Sequence, residues 1–185
     1  YRTASIGKSH LQPFTGKEPV GQEKDTIERL IPEAWKSEGK PYLSEEPSSF
    51  KDAEETEFET PYYGFQQVDM VTGHGYDCGG HYGQWFRKTY PNWKDLHDRK
   101  NELPHNYSCP QAFRTAVPEE AYPTTWIGDR AVNYINESAS HDEPFFAFVS
   151  FPDPHHPFNP PGKYWDMYSP DEFSVDLPYA AHKNP

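Results

Sequence analysis

The sequence predicts an α/β fold, a sheet covered by helices with long irregular loops, on three observations. Residues 124–138 (TTWIGDRAVNYINES) carry Trp126, Ile127, Ala131, Tyr134 and Ile135 at helical spacing, with Thr124 or Thr125 placed to cap. The run 145–151 (FFAFVSF) follows a polar turn and is apolar at every position but one, the pattern of a strand covered on two sides. Helix, turn, buried strand and then a polar loop is the order of a doubly wound sheet, in which ligands bind beyond the carboxyl ends of the strands.

The other elements follow along the chain. Residues 1–9 (YRTASIGKS) read as a short strand running into a loop at Gly7. Residues 15–59 are acidic and proline-punctuated, an expected surface insertion with at most a weak helix over 25–35. Residues 62–71 (YYGFQQVDMV) read as a second strand, and the glycine-rich 72–83 as a loop. Residues 81–101 suggest one or two short helices, broken at Pro91 with Asn92 as cap. A further short helix is expected over 163–168, before an acidic tail.

Composition narrows the class. Aromatic residues reach 16% while hydrophobic residues make up only 34%, so the chain is not a disordered polymer but one whose core leans on Phe, Tyr and Trp. A net charge of −12 excludes a general nucleic-acid binder, which needs a basic footprint. Residues 17–59 hold thirteen Asp/Glu against six Lys/Arg and so supply −7 of that charge, which leaves room for a local cationic pocket elsewhere. No apolar run approaches the ~20 residues that span a bilayer. Cys78 and Cys109 are either one disulfide or two free thiols, and Asn106 and Asn136 open glycosylation-type triplets. Tyr1 is not an initiator Met, which fits a processed or excised piece.

Three groups of residues carry candidate chemistry. Lys8 and His10 are two apart beyond the first strand, so in extended backbone they share a side. A cation and an imidazole converging there suit an anion and a proton transfer; the alternative is two exposed loop residues. In Pro154-His155-His156-Pro157 the prolines restrict the backbone, and extended geometry would turn the two imidazoles to opposite sides, leaving one to face a pocket. His74, Asp77, Cys78 and His81 are metal-ligand types, but their spacing matches no standard zinc pattern, and no metal site is expected.

Together these segments resemble the sulfatase family of the alkaline-phosphatase superfamily. YRTASIGKSHLQ is similar to that family's strand ending in Gly-Lys-Trp-His-Leu, with Ser9 in place of Trp; TPYYGFQQVD resembles its Gly-Phe-Asp segment. The stretch from TTWIGDRAV through PFFAFVSFPDPHHPFNPP resembles its helix, Pro-Phe-Phe strand and Pro-His-x-Pro-Phe loop. The resemblance implies a hydrolase of small-molecule or saccharide sulfate esters, in a periplasmic or extracellular setting. Lys8 would contact sulfate and nucleophile, His10 would hydrogen-bond the nucleophile, and His155 would bind sulfate and protonate the leaving oxygen. His156 falls on the variable position and would be structural.

The resemblance also implies calcium and a formylglycine nucleophile in the parent protein, neither supplied here. Cys78 precedes Gly-Gly-His and Cys109 precedes Pro-Gln-Ala-Phe-Arg, whereas the family's formylglycine arises in Cys-x-Pro-Ser-Arg. Residues 1–185 are therefore expected to be an incomplete internal part of one catalytic domain, inactive alone and partnered by the remainder of that domain. A phosphodiesterase or phosphonate monoester hydrolase of the same superfamily is one alternative. A non-catalytic binding module for anionic sugars is another.

Overall fold

A computed structural model describes residues 1–12, 43–51 and 54–174. Most of the expected insertion over 15–59, its weak helix over 25–35 and the end of the acidic tail lie outside the described residues.

The architecture is mixed α/β, built on a small parallel sheet. Three strands, β1 (Arg2–Gly7), β2 (Gln67–Thr72) and β3 (Phe145–Ser150), lie in the order β2-β1-β3. Gly7 of β1 sits opposite Met70 on one side and Ser150 on the other, so β1 and β3 end level and β2 runs on to Thr72. The chain leaves β1 first to one flank and later returns on the other, which puts a topological switch point between β1 and β3.

Three helices accompany the sheet: α1 (Gly80–Thr89), α2 (Trp93–His97) and α3 (Pro123–Ala139). Ala4 and Ile6 of β1 and Val71 of β2 share one core with Tyr82 and Phe86 of α1 and with Trp126, Ile127 and Tyr134 of α3. Each fully buried side chain of this size contributes roughly 1.5–3 kcal/mol, so this aromatic-rich layer fixes the sheet. A smaller cluster of Phe50, Tyr62 and Met70 packs with Val68, from the β2 positions that alternate with Val71.

Several details differ from the sequence expectations. Helix α3 begins one residue early, at Pro123 with Tyr122 as N-cap, because Pro at the first position is preorganised and its missing N–H costs nothing there. Thr124 and Thr125 do not cap it; their hydroxyls donate to Asp153 Oδ2 and to the Glu119 carbonyl, both at 2.7 Å. Ile135 is exposed. Residues 62–65 form a tight turn closed by Tyr62–Phe65 backbone bonds of 2.8 and 2.9 Å, so β2 starts only at Gln67.

The glycine-rich stretch is not all loop. Helix α1 is already under way at Gly80, because burial of Tyr82, Gln84 and Phe86 outweighs the poor helix propensity of its glycines. Asn92 does stand at the N-cap of α2, though without a side-chain bond. The helix expected over 163–168 is only a single 3-10 turn, Gly162–Tyr164.

Strand β3 is covered on one face rather than two among the described residues. Ala147 and Val149 pack on the main core, while Phe146 and Phe148 are 57% and 42% exposed and meet Phe65. Both cysteines are free thiols, Cys78 buried and Cys109 exposed. Among the described residues no helix is long and apolar enough to cross a membrane.

Candidate anion-binding site

The site grows from the carboxyl end of β1. Gly7 has φ +105°, and a Cβ on it would lie 1.9 Å from the Ser150 carbonyl oxygen, so only glycine fits where β1 and β3 end together. The chain then turns Lys8 inward. Its side chain is buried, and Nζ donates to the Gly73 carbonyl at 3.0 Å and to His74 Nε2. Burial pushes the Lys8 ammonium below its usual pKa.

Ser9 turns the other way, as alternation requires. Its hydroxyl donates to Glu45 Oε1 at 2.8 Å, and the same oxygen accepts from Leu11 N at 3.1 Å and from the Tyr62 hydroxyl at 2.7 Å. The position that departs from the resembled Gly-Lys-Trp-His pattern is therefore occupied by a residue tied to a fully buried carboxylate. His10 is exposed at the rim; burial and then the Lys8 charge lower its pKa, with Glu45 opposing.

The second contribution comes from the loop after β3. Residues 153–157 form a turn, not an extended strand, so pleat alternation does not separate the two histidines. Their ring centroids are 4.2 Å apart, and both rings lie alongside His74, at 3.6 Å for His155 and 6.4 Å for His156. The expectation of opposite-facing imidazoles is corrected accordingly. His155 Nδ1 donates to the His156 carbonyl at 2.7 Å, which leaves Nε2 for another partner.

His74 joins the two halves. It follows β2, and by its spacing in the sequence it is no more than a metal-ligand type. Gly75 beside it holds φ +58° and abuts Pro157 and Asn159, so the His74 turn is seated on the His155 loop. The His74 imidazole is held neutral, its pKa lowered to about 4, first by burial and then by Lys8, His155, His156 and His10. The structure thus brings Lys8 and His155 together through His74, with His10 close enough to feel the Lys8 charge and to act on His74. One sequence signal pointed to His74: an imidazole between glycines just past a parallel strand, where the carboxyl-end rule places ligands.

A cavity of about 460 Å³ opens beside Lys8 and His10, walled by Leu11, Phe65 and Phe148. Its lining combines a cation, an imidazole and aromatic rings, and His74 and His155 are not part of that lining.

The other metal-ligand types disperse. His81 Nδ1 accepts from Met70 N at 3.0 Å while Nε2 donates to the Thr56 carbonyl at 2.7 Å. Asp77 pairs with His97 at 3.1 Å, and Cys78 is buried in the main core with its thiol pKa raised by burial. Among the described residues no three His, Cys, Asp or Glu side chains gather to hold a metal ion. Calcium wants a shell of oxygen donors, which the described residues do not assemble, and neither cysteine stands in a Cys-x-Pro-Ser-Arg sequence, so the described residues fit neither group.

No protein-family model matches the chain. It is similar to an arylsulfatase of Clostridium perfringens, 30% identical over 96 residues, covering 52% of this chain and 19% of that protein. It is also similar to the uncharacterized sulfatase YidJ of Escherichia coli, 44% identical over 48 residues (24% of this chain and 10% of that protein). An ulvan-active sulfatase of Formosa agariphila is 33% identical over 96 residues, 49% of this chain and 18% of its own length. The chain is thus similar to sulfatases over about half of its length, and the mixed α/β fold is compatible with that similarity. It matches less than a fifth of the length of each of these curated relatives.

Proposed function

We propose that this chain forms part of the sulfate pocket of a hydrolase that cleaves sulfate esters. The observation that carries the reading is the convergence of Lys8 and His155, from the loops after β1 and β3, on His74, Lys8 at its Nε2 and His155 against its ring face. Lys8 neutralises charge on the sulfate oxygens. His155, with Nδ1 committed to the His156 carbonyl, presents Nε2 to the ester.

As the sulfur–oxygen bond breaks, the bonding pair stays on the leaving oxygen, and His155, entering the step as the imidazolium, gives its Nε2 proton to that oxygen and keeps the Nδ1 proton on the His156 carbonyl. Lys8 stabilises the negative charge that gathers there and on the sulfuryl group. His10 stands at the rim, placed to hydrogen-bond an attacking group. Phe65 and Phe148 suit the ring of an aryl or saccharide sulfate. Calcium and a formylglycine would supply charge neutralisation and the nucleophile in the whole protein, and neither has its donor set or motif among these residues.

The test is turnover of 4-nitrophenyl sulfate by the protein that carries this chain, beside its Lys8→Ala and His155→Ala variants. Each variant is expected to lose roughly 100-fold or more in kcat/KM. Unchanged turnover in both sinks the assignment. Sulfate binding without turnover by the unaltered protein would favour an anionic-sugar binding module.

A further inference from the structure

We propose that His74 is the positioning residue of this pocket: its Nε2 accepts from the Lys8 ammonium while its ring face seats His155, so that two groups on separate loops address one anion. The inference rests on the anion-pocket reading above and adds a residue to it.

Lys8 Nζ has three N–H bonds to direct. The Gly73 carbonyl takes one and His74 Nε2 takes another, both from the turn that follows β2. These acceptors hold a long, flexible side chain in one place, which lowers the entropy lost on meeting an anion. His74 can accept at Nε2 only with its own proton on Nδ1, so the geometry specifies both its charge and its tautomer. A protonated His74 would instead aim an N–H at the ammonium.

The stack on His155 sets the second group. The rings lie 16° from parallel with centroids at 3.6 Å, and His155 is otherwise exposed on a turn. With Nδ1 fixed by the His156 carbonyl and one face covered by His74, the direction of His155 Nε2 is defined. The charged groups around His74 agree in sign. Lys8, His10, His155 and His156 all disfavour its protonation. Of the nearby acids, Glu45 acts on His10, Asp77 pairs with His97, and Asp153 takes the Thr124 hydroxyl. The low pKa of His74, about 4, follows from these surroundings.

The experiment is nitrogen-detected NMR of the histidine side chains in the full chain, with calorimetric titration by inorganic sulfate. The expected result is a neutral His74 with its proton on Nδ1 from pH 8 down to pH 5. A proton on Nε2, or titration at an ordinary histidine pH, overturns the proposal whatever sulfate does. His74→Phe keeps a ring face but removes the acceptor, and is expected to weaken sulfate binding about tenfold. His74→Gln restores an acceptor and should recover affinity to within about threefold of the unaltered chain. Equal affinity in His74→Phe and the unaltered chain overturns the proposal. If the unaltered chain binds no sulfate, the anion-pocket reading fails, and the His74 tautomer still decides whether it holds Lys8.

Discussion

The Lys8 amide donates to the Ser150 carbonyl at 3.1 Å, so the loop that carries Lys8 starts tied to the end of the strand that leads to His155. This single backbone bond registers two loops that are remote in sequence. It forms because Gly7, with no Cβ, lets the strand ends close on each other.

Gly7→Ala is therefore expected to be damaging out of proportion to one methyl group. It would bring a Cβ to 1.9 Å from the Ser150 oxygen at a φ of +105°, so backbone must move. A loss of about 2–4 kcal/mol in urea unfolding is expected, since strained backbone and a steric clash add. A change below about 0.5 kcal/mol would contradict the close approach of β1 and β3.

The thiols should separate cleanly by reactivity. Cys78 is buried with its thiolate disfavoured, whereas Cys109 is exposed. A disulfide-exchange reagent at pH 8 should label one thiol per chain quickly, and the second only on unfolding. Peptide mapping that finds Cys78 labelled in the native chain would be inconsistent with its place in the core.

Acid should weaken the fold through His74 before most carboxylates titrate. Its pKa falls from 6.5 to about 4 on folding, so the folded chain binds fewer protons there. Stability from this group is full above pH 6.5 and is lost as pH falls through about 4; His10 acts in the same direction. Asp153, raised by burial, acts in the opposite direction. Urea midpoints at pH 7.5, 5.5 and 4.5 should show a shallower decline for His74→Gln. Parallel curves would exclude His74 as a contributor.

Glu45→Ala should release the rim of the site. The change leaves the Ser9 hydroxyl, the Leu11 amide and the Tyr62 hydroxyl without their shared acceptor. A loss of about 3 kcal/mol is expected, as for removal of a buried hydrogen-bonded charge. Because Glu45 raises the His10 pKa, its removal should also lower that pKa, which NMR titration reads directly. An unmoved His10 would show that the carboxylate does not act on it.

Much of the frame was legible in the chain. Helical spacing located α3, an apolar run located β3 and a short run of β-formers ending at Gly7 located β1, because those signals are local. The carboxyl-end rule drew attention to Lys8 and His155, and the level ends of β1 and β3 set both loops on one edge of the sheet. What was not legible depended on tertiary contact. The rotation of His156 towards His74 follows from a turn that pattern alone does not specify. The start of α1 at Gly80 follows from burial of Tyr82 and Phe86 against propensity. His74 itself looked like a stray ligand type until the packing of Gly75 on Pro157 set it between two loops.

The chain re-enters the described structure at a clasp. Ser44 N donates to Gln12 Oε1 at 2.8 Å, and Glu45 reaches back to Ser9 and Leu11. Gln12 and Ser44, 32 residues apart in sequence, are thus fastened at one point next to the rim of the pocket. The stretch that carries Lys8 is braced at both of its ends, by the Ser150 carbonyl where it leaves the sheet and by this clasp where it leaves the pocket.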